Sequence, residues 1–255
     1  MISVVLLGAA GRMGRAIRET AARTPGFHLK ACVDLASAVP AATRDWGTDL
    51  ARVLSAGDVV LDFSAPGATV EAAKRCAERG AGLVSGTTGL TSAQEDAVRE
   101  AARTVAVLRA ANFSLGVLAL RHALAAVLPL LPGWDVEVVE RHHRDKQDSP
   151  SGTAISLAHD VAEQRGYGPD ALRHGRQGRL GTRSQMEIGV HALRGGSWVG
   201  DHQIVLAGPG ECVELRHVAQ DRTAFASGAL AAAGFVAHAP AGFYTLSALW
   251  SAATR

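Results

Sequence analysis

A glycine-rich turn between an apolar strand and a helix is the feature that most constrains the fold of this chain. The apolar run of residues 3–7 is followed by Gly8-Ala-Ala-Gly11-Arg-Met-Gly14, and a helical pattern begins directly afterwards. Glycines let a backbone approach a pyrophosphate, and the free amides at a helix start stabilise its charge. The spacing G-x-x-G-x-x-G meets the general fingerprint only loosely, so a tight turn without a ligand remains an alternative.

Strands and helices alternate after this turn as far as residue 112. Strands are predicted over 29–33, 59–63, 82–85 and 105–108, and helices over 70–79 and 93–103. Such alternation predicts a doubly wound parallel sheet, whose strands end at the edge where ligands bind. The third of these strands runs into Gly86-Thr87-Thr88, which can offer donors to the nicotinamide end of a cofactor, although Gly/Thr loops are common without function.

The alternation of strands and helices ends at Asn112, and a second domain is predicted to begin there. Residues 114–131 read as one long apolar helix, 166–182 as loop or hairpin, and 186–190, 203–207 and 212–219 as consecutive strands. Consecutive strands favour a mixed or antiparallel sheet. We therefore expect an α/β protein with a Rossmann-like doubly wound sheet in residues 1–113, completed by a helix and tail in 222–255. Residues 114–221 would form an α+β domain with a mixed sheet, for substrate binding and oligomerisation.

Asp34 ends the second predicted strand, 20 residues after Gly14. A carboxylate at this distance accepts hydrogen bonds from the adenosine ribose of a dinucleotide. Leu35 follows it instead of arginine, which favours NADH over NADPH, although Arg12 or Arg44 could still reach a 2′-phosphate. A strand-end aspartate that only caps a turn is the simpler alternative.

Residues 140–154, Glu-Arg-His-His-Arg-Asp-Lys-Gln-Asp-Ser-Pro-Ser-Gly-Thr-Ala, concentrate charge between a strand and a helix. His142 and His143 should point to opposite faces of an extended strand, and Lys146 adds a positive donor. Ser151 is a good N-cap, so that the amides of Gly152 and Thr153 form an anion site. This set suggests a small anionic substrate that must be protonated. A charged loop before an ordinary capped helix is the simpler alternative, and a metal site is disfavoured because adjacent ligands diverge.

Composition excludes several classes of protein. The net charge is only +2, so no basic field predicts nucleic-acid binding, and no apolar run is long enough to predict a membrane span. The three cysteines are far apart without metal or redox spacing, and the first residues lack the features of a signal peptide. We expect a soluble, cytoplasmic protein without a bound metal.

Several stretches along the chain together match one known family. They are Gly8-Ala-Ala-Gly-Arg-Met-Gly14, Asp62-Phe-Ser-Ala-Pro66, Gly86-Thr-Thr-Gly89, Ala111-Asn-Phe-Ser-Leu-Gly-Val117, Glu140-x-His-His-x-x-Lys-x-Asp-x-Pro-Ser-Gly-Thr-Ala154, Arg194-Gly-Gly196, Gly200-Asp-His202 and Arg222-x-x-Ala-Phe-Ala-x-Gly-Ala229. With these motifs the chain resembles the dihydrodipicolinate reductase (4-hydroxy-tetrahydrodipicolinate reductase) family of the lysine and diaminopimelate pathway. The resemblance runs nearly from end to end.

The resemblance implies an activity and a set of site residues. It implies reduction of 4-hydroxy-tetrahydrodipicolinate with NADH or NADPH, His142 as the proton donor and Lys146 as an assisting donor. His143, Gly152 and Thr153 would bind the substrate carboxylates, with Ser151 beside them and Thr88 between cofactor and substrate. The residues that correspond to cofactor contacts are Gly8, Ala9, Ala10, Gly11, Arg12, Met13, Asp34, Gly86, Thr87, Thr88, Ala110, Ala111, Asn112 and Phe113. The family is typically a homotetramer whose cofactor domain closes over the substrate.

Asp145 departs from the family, which often has a basic residue there, and it could raise the pKa of a neighbouring histidine. It leaves open a related reductase of another cyclic imine or dicarboxylate. A third reading is a non-catalytic NADH sensor, against which the set of His142, Lys146 and Thr153 argues, because a sensor needs no proton donor.

Overall fold

The structure is a computed structural model that describes residues 1–40 and 45–253. It divides into two compact units, of which unit 1 comprises Met1–Leu115 with Arg222–Arg255 and unit 2 comprises Gly116–Asp221. Each unit has its own sheet and its own apolar core. Arg44, one of the two arginines considered for a 2′-phosphate, lies outside the described residues.

Unit 1 is built on a sheet of seven strands in its described part, and every neighbouring pair is parallel. Numbered along the chain and given in sheet order, the strands are β12 (Gly242–Tyr244), β6 (Ala106–Arg109), β5 (Gly82–Ser85), β4 (Val59–Asp62), β1 (Ile2–Leu7), β2 (Phe27–Val33) and β3 (Trp46–Gly47). The helices are α1 (Arg12–Ala21), α2 (Leu50–Val53), α3 (Pro66–Arg79), α4 (Ser92–Ala101), α7 (Thr223–Val236) and α8 (Ser247–Ala253). The predicted Rossmann-like sheet is confirmed.

The central strands of unit 1 are apolar on both faces because helices cover both sides of a doubly wound sheet. Leu6, Leu61 and Leu83 have no solvent exposure. Helix α7 packs against α1 and β5, and it passes so close to the loop after β6 that a Cβ at Gly228 would overlap the carbonyl group of Phe113. A glycine is required there by the close approach of the two backbones.

Two short strands of this sheet were not predicted. Strand β3 has two residues and β12 has three, so neither is long enough to show a pattern of alternating burial. Strand β12 is held by its parallel pairing with β6, a contact between residues more than 130 positions apart. Pairing of this kind is set by the tertiary fold and leaves little trace in the local sequence.

Unit 2 is built on a mixed sheet, as predicted. In sheet order its strands are β11 (Glu211–Ala219), β10 (Gly200–Gly208), β7 (Asp135–His142), β9 (Ile188–Arg194) and β8 (Leu172–His174). Strand β10 is antiparallel to both of its neighbours, whereas β7, β9 and β8 run parallel. The helices that accompany it are α5 (Leu115–Val127) and α6 (Gly152–Arg165), with 3₁₀ turns at Leu128–Leu130 and Pro169–Ala171.

Two predictions for unit 2 were wrong in detail. The long helix predicted over 114–131 ends at Val127 and continues as a 3₁₀ turn that contains Pro129, because proline lacks an amide donor and its ring displaces the preceding carbonyl. The stretch 166–182, predicted as loop or hairpin, contains strand β8, which pairs in parallel with β9. Only three residues long and mostly polar, β8 has no signal of its own.

Strand β7 alternates strictly between buried and half-buried residues. Its buried face starts with Val136 and Val138, which pack in the core of unit 2 beneath α6. The same face continues with Glu140 and His142, so a buried face that begins apolar ends in two buried ionisable groups. Burial of a charge is costly unless it is paired, and the pairing of these two groups defines the local site.

Candidate active site

The glycine turn after β1 is fitted for close approach. Gly8 has φ of +80°, and a Cβ at Gly14 would lie 2.6 Å from the carbonyl carbon and oxygen of Ala9. Gly11, the N-cap residue of α1, offers no side chain to cap the first turn, and both Gly11 and Arg12 are exposed. An uncapped helix start behind an exposed glycine turn fits a dinucleotide phosphate, because its first amides have no partner within the helix.

Asp34 lies directly after β2, at the edge of the same turn. One of its carboxylate oxygens accepts a hydrogen bond from the Ala10 amide at 2.8 Å, and the other accepts one from the Leu35 amide at 2.8 Å. The carboxylate therefore couples the end of β2 to the glycine turn. Each oxygen has a second lone pair, so both retain acceptor capacity for a ribose hydroxyl.

The two adjacent threonines in the loop after β5 lie in different environments. The Thr87 side chain is buried, where its hydroxyl donates to Asp62 Oδ2 at 3.1 Å and accepts from the Ser64 amide at 3.0 Å. Thr88 is exposed. The side chain of Thr87 thus points into unit 1, so only its backbone remains for the predicted cofactor contact. Thr88 has its hydroxyl at the surface.

Asp62 organises this edge of the sheet, and the sequence analysis did not select it. Its buried carboxylate accepts hydrogen bonds from four hydroxyl groups, those of Ser64, Thr69, Ser85 and Thr87. These residues lie on β5, on α3 and in the loops after β4 and β5. A carboxylate that accepts several hydrogen bonds is satisfied without a cation, and here it fixes two loops at the carboxyl edge.

The fourth loop follows β6 and contains Ala110, Ala111, Asn112 and Phe113. Ala111 is exposed, and Asn112 Oδ1 accepts from the Ser114 amide at 2.8 Å. Phe113 is buried edge-to-face against Phe63, with the ring centroids 5.3 Å apart. The loops predicted for the cofactor thus all lie at the carboxyl ends of strands of one sheet.

In unit 2, His142 is the last residue of β7 and is 8% exposed. Its Nδ1 lies 2.6 Å from Glu140 Oε2, and its ring packs edge-to-face on His202 with centroids 5.2 Å apart. The backbone of His143 begins the following loop and donates to the Trp198 carbonyl at 2.8 Å; its side chain is half-buried. The two histidines therefore differ in environment, as expected for neighbours at the end of a strand.

Lys146 lies in the loop between β7 and α6. Its ammonium group contacts both oxygens of Asp148, at 2.7 and 2.9 Å. The hydrogen bond from Lys146 lowers the pKa of the exposed Asp148 carboxyl. Asp145, the residue that departs from the family, is exposed, and no partner for its carboxylate is found among the described residues. A surface carboxylate without partners exerts only a screened effect on its surroundings.

Helix α6 begins as predicted from its N-cap. The Ser151 hydroxyl accepts from the Ala154 amide at 3.2 Å and lies 3.1 Å from His202 Nε2. Ser151 is 2% exposed, whereas Gly152 is exposed at the first helical position. The Ser151 hydroxyl is thus committed to the helix start, and Gly152 and Thr153 lie in the first turn of α6, where the sequence predicts an anion site.

Glu140, Arg194 and His202 surround His142, and none of them was selected as a site residue from the sequence. Arg194 ends β9 and makes a bidentate contact with the Glu140 carboxylate, at 2.8 and 2.7 Å. His202 belongs to β10, next to β7. Arg194 and His202 belong to the Arg194-Gly-Gly196 and Gly200-Asp-His202 motifs, which are among the motifs that carry the family resemblance. Their place in these motifs was the signal in the sequence that could have identified them as site residues.

His202 is a buried histidine, and this predicts an effect of pH on stability. Burial, helped by the nearby His142, lowers its pKa to about 4, from an ordinary value of about 6.5. Between these two pKa values the His202 imidazole is protonated in the unfolded chain and neutral in the folded chain. The free energy of unfolding should therefore fall as pH is lowered from about 7 to 4.5. This residue alone should account for about 2–3 kcal/mol of that fall.

Urea unfolding at a series of pH values measures this dependence. The variant His202→Gln should show a shallower decline, whereas His174→Gln, at an exposed histidine of the same unit, should follow the wild type. Equal slopes for His202→Gln and the wild type would refute the assignment.

Metal-binding clusters and membrane-spanning helices are both absent from the described ranges, 1–40 and 45–253. No group of three or more His, Cys, Asp or Glu side chains there could hold a metal ion. In the same ranges, no helix combines the length and the apolar character that crossing a membrane demands.

Comparison with known proteins gives a consistent result. Residues 2–113 match the family model "Dihydrodipicolinate reductase, N-terminus", and residues 116–249 match "Dihydrodipicolinate reductase, C-terminus". The 4-hydroxy-tetrahydrodipicolinate reductase of Halorhodospira halophila is 40% identical, with 96% of this chain and 97% of that protein covered. The enzyme of the same name from Anaeromyxobacter dehalogenans is 41% identical, with 97% of each chain covered.

A solved structure extends this similarity to the fold. The dipicolinate-bound dihydrodipicolinate reductase of Paenisporosarcina sp. TG-14 superposes with a TM-score of 0.79 and 28% identity, over 96% of this chain and 97% of that one. A probable dehydrogenase from Thermotoga maritima superposes with a TM-score of 0.62 at 11% identity, which shows a shared fold alone.

Proposed function

The chain belongs to the dihydrodipicolinate reductase family, and from this premise we propose that His142 protonates the substrate in the reduction. The family resemblance drawn from the sequence is confirmed. The chain reduces 4-hydroxy-tetrahydrodipicolinate to tetrahydrodipicolinate in lysine and diaminopimelate biosynthesis. Overall, a hydride and a proton are added and one water is lost, so the enzyme must supply a proton donor beside the ring.

The observation that carries the assignment is the position of His142 in unit 2. It ends strand β7 and is hydrogen-bonded to Glu140, whose carboxylate also accepts from the Ser151 amide at the start of α6. A histidine can donate a proton near neutral pH, and general acids of this kind contribute about 10²- to 10⁴-fold to rate. Its buried ring gives the proton a fixed direction.

The neighbours of His142 would hold the two substrate carboxylates. The first-turn amides of Gly152 and Thr153 are directed donors, and His143 and Lys146 add side-chain donors on the preceding loop. Lys146 can leave Asp148 for a substrate carboxylate because a surface ion pair of this kind is worth only about 0–1 kcal/mol. Substrate binding then exchanges one carboxylate partner of the lysine, Asp148, for a carboxylate of the substrate.

The glycine turn, Asp34, Thr88 and the loop 110–113 would hold a nicotinamide cofactor in unit 1. When bound, this cofactor supplies the hydride. The uncapped start of α1 receives phosphate charge, and Asp34 accepts from ribose hydroxyls with the oxygens that already fix the turn. Thr88 presents its hydroxyl at the carboxyl edge of the sheet, where the substrate end of the cofactor would lie.

The position of Asp34 predicts a preference for NADH. A 2′-phosphate would meet a carboxylate followed by an apolar residue, Leu35, and the repulsion should give NADH an advantage of about tenfold or more in kcat/KM. Steady-state kinetics with both cofactors measures it, and Asp34→Ser should narrow the gap. A markedly higher kcat/KM with NADPH would show that the inference from Asp34 and Leu35 is wrong.

A panel of substrates tests the specificity of the reaction. Turnover should be fastest with freshly made 4-hydroxy-tetrahydrodipicolinate and far slower with other cyclic imines and dicarboxylates. Faster turnover of another member of the panel would favour the related-reductase alternative, and tight NADH binding without turnover of any member would favour a sensor. Location in the cytoplasm and assembly as a homotetramer are further proposals, which rest on the family.

A further inference from the structure

Glu140 is the most deeply buried ionisable group beside His142, and the proposed reaction gives it no role. It has no solvent exposure and stands on the buried face of β7, between the apolar residues Val136 and Val138 and the final His142. A hydrophobic residue at this position would continue the strand without the penalty of burying a charge. The contacts of the carboxylate indicate what it does there.

Each oxygen of Glu140 serves two different parts of the site. Oε2 contacts His142 Nδ1 at 2.6 Å and Arg194 at 2.8 Å, and Oε1 accepts from Arg194 at 2.7 Å and from the Ser151 amide at 2.9 Å. Arg194 also donates to the Asp148 carbonyl at 2.8 Å, in the loop that carries Lys146. One carboxylate thus joins the histidine, the start of α6 and, through Arg194, the intervening loop.

The Glu140 carboxyl is ionised at neutral pH. Burial by itself would raise its pKa, but the hydrogen bonds from His142, Arg194 and the Ser151 amide outweigh burial and lower the pKa to about 2. An ionised carboxylate accepts hydrogen bonds and cannot donate one. The proton between the two groups therefore belongs to His142 Nδ1, which fixes the tautomer of the ring.

We propose that Glu140 is a positioning residue for the reaction, which holds His142 in the Nδ1–H form so that Nε2 alone carries and delivers the transferable proton. Arg194 keeps the carboxylate charged and oriented, and the Ser151 amide ties it to the helix start. The proton donor and the amides proposed to bind the substrate carboxylates are thereby held in a fixed position relative to each other. The inference rests on the proposed role of His142 and deepens it.

The charged and titratable groups around His142 lie on all of the neighbouring elements. Glu140 lies on its own strand, Arg194 on β9, His202 on β10, and the Lys146–Asp148 pair in the following loop. Glu140 is the group with a direct hydrogen bond to the His142 ring, and it favours the charged imidazolium. Removal of the carboxylate would take away the anion that favours the imidazolium and would leave the Arg194 cation nearby.

Asp201 provides a matched control for the structural part of this arrangement. It is 2% exposed, lies on the strand next to β7, and is paired with Arg141 and Arg216. It is thus a buried carboxylate with two arginine partners and no hydrogen bond to the histidine ring. A variant at Asp201 also removes a buried ion pair, but it keeps the hydrogen bond to Glu140 that sets the tautomer of His142.

The first experiment uses the wild-type protein. Nitrogen-15 NMR of labelled histidine, read for His142 in the neutral form, should show the Nδ1–H tautomer as the dominant species. A dominant Nε2–H tautomer would overturn the proposal. This readout needs no turnover, so it can fail while His142 remains the proton donor, and it can succeed even if the proposed donor role is wrong.

The second experiment compares Glu140→Gln with Asp201→Asn. Glu140→Gln should lower kcat about 10²-fold or more, change KM less than kcat, and move the alkaline limb of the kcat profile to lower pH by about one unit or more. Asp201→Asn should keep the wild-type pH profile even where it lowers stability. An unchanged pH profile and kcat in folded Glu140→Gln would contradict the proposal. If Glu140→Gln does not fold, the tautomer measured in the wild type decides.

Discussion

Replacement of His142 by glutamine is expected to lower kcat by about 10²- to 10⁴-fold, the range that a general acid contributes. The glutamine amide can still donate to Glu140, so the buried carboxylate keeps a partner and the fold should persist. The affinity for NADH should not change, because the predicted cofactor residues belong to unit 1 and His142 to unit 2. Steady-state turnover, NADH titration and urea unfolding of the same preparation measure the three quantities.

His143→Gln is the control for this experiment. It removes the adjacent histidine, which is half-buried and is proposed to bind a substrate carboxylate, so it should raise KM more than it lowers kcat. Undiminished turnover in His142→Gln, or the same loss of kcat in both variants, would exclude His142 as the specific proton donor.

The second large effect is expected at the glycine turn, from Gly14→Ala. The added Cβ would overlap the Gly8 carbonyl oxygen and lie 2.6 Å from the Ala9 carbonyl group, and a backbone cannot yield as a flexible side chain does. Overpacking of this kind costs about 1–3 kcal/mol. The strain is relieved only if the turn moves, so the dissociation constant for NADH should rise about 10- to 100-fold.

Gly67→Ala is the matched control for Gly14→Ala. Gly67 also stands in the first turn of a helix of unit 1, but a Cβ there meets no atom within 4 Å. NADH affinity by fluorescence titration and the free energy of unfolding in urea should both be near wild type in Gly67→Ala. Wild-type NADH affinity in Gly14→Ala would contradict the proposed role of the turn.

The sequence was sufficient for the features that depend on local patterns. The glycine turn, the placement of Asp34 after β2 and the N-cap of α6 at Ser151 follow from residue types at fixed spacing, and the structure shows each of them. The parallel and mixed sheets follow from the order of strands and helices. These features need no knowledge of contacts between distant residues.

The partners of His142 could not be found in this way. Glu140 reads as part of a charged stretch, and its burial depends on the strict alternation of β7 and on Arg194, which lies 54 residues away. Thr87 likewise reads as an exposed donor, because nothing in its own loop shows that its hydroxyl turns inward to Asp62. Pairings across a sheet are set by register, which one sequence does not display.

The activity itself, hydride transfer from a nicotinamide cofactor to 4-hydroxy-tetrahydrodipicolinate, can be followed through the transferred atom. The most direct measurement combines NADH absorbance with the product mass, using freshly prepared substrate and NADH deuterated at the position from which the hydride leaves. We expect substrate-dependent oxidation of NADH and a tetrahydrodipicolinate product that carries one deuterium. Absence of oxidation with this substrate, or a product without the label, would contradict this activity.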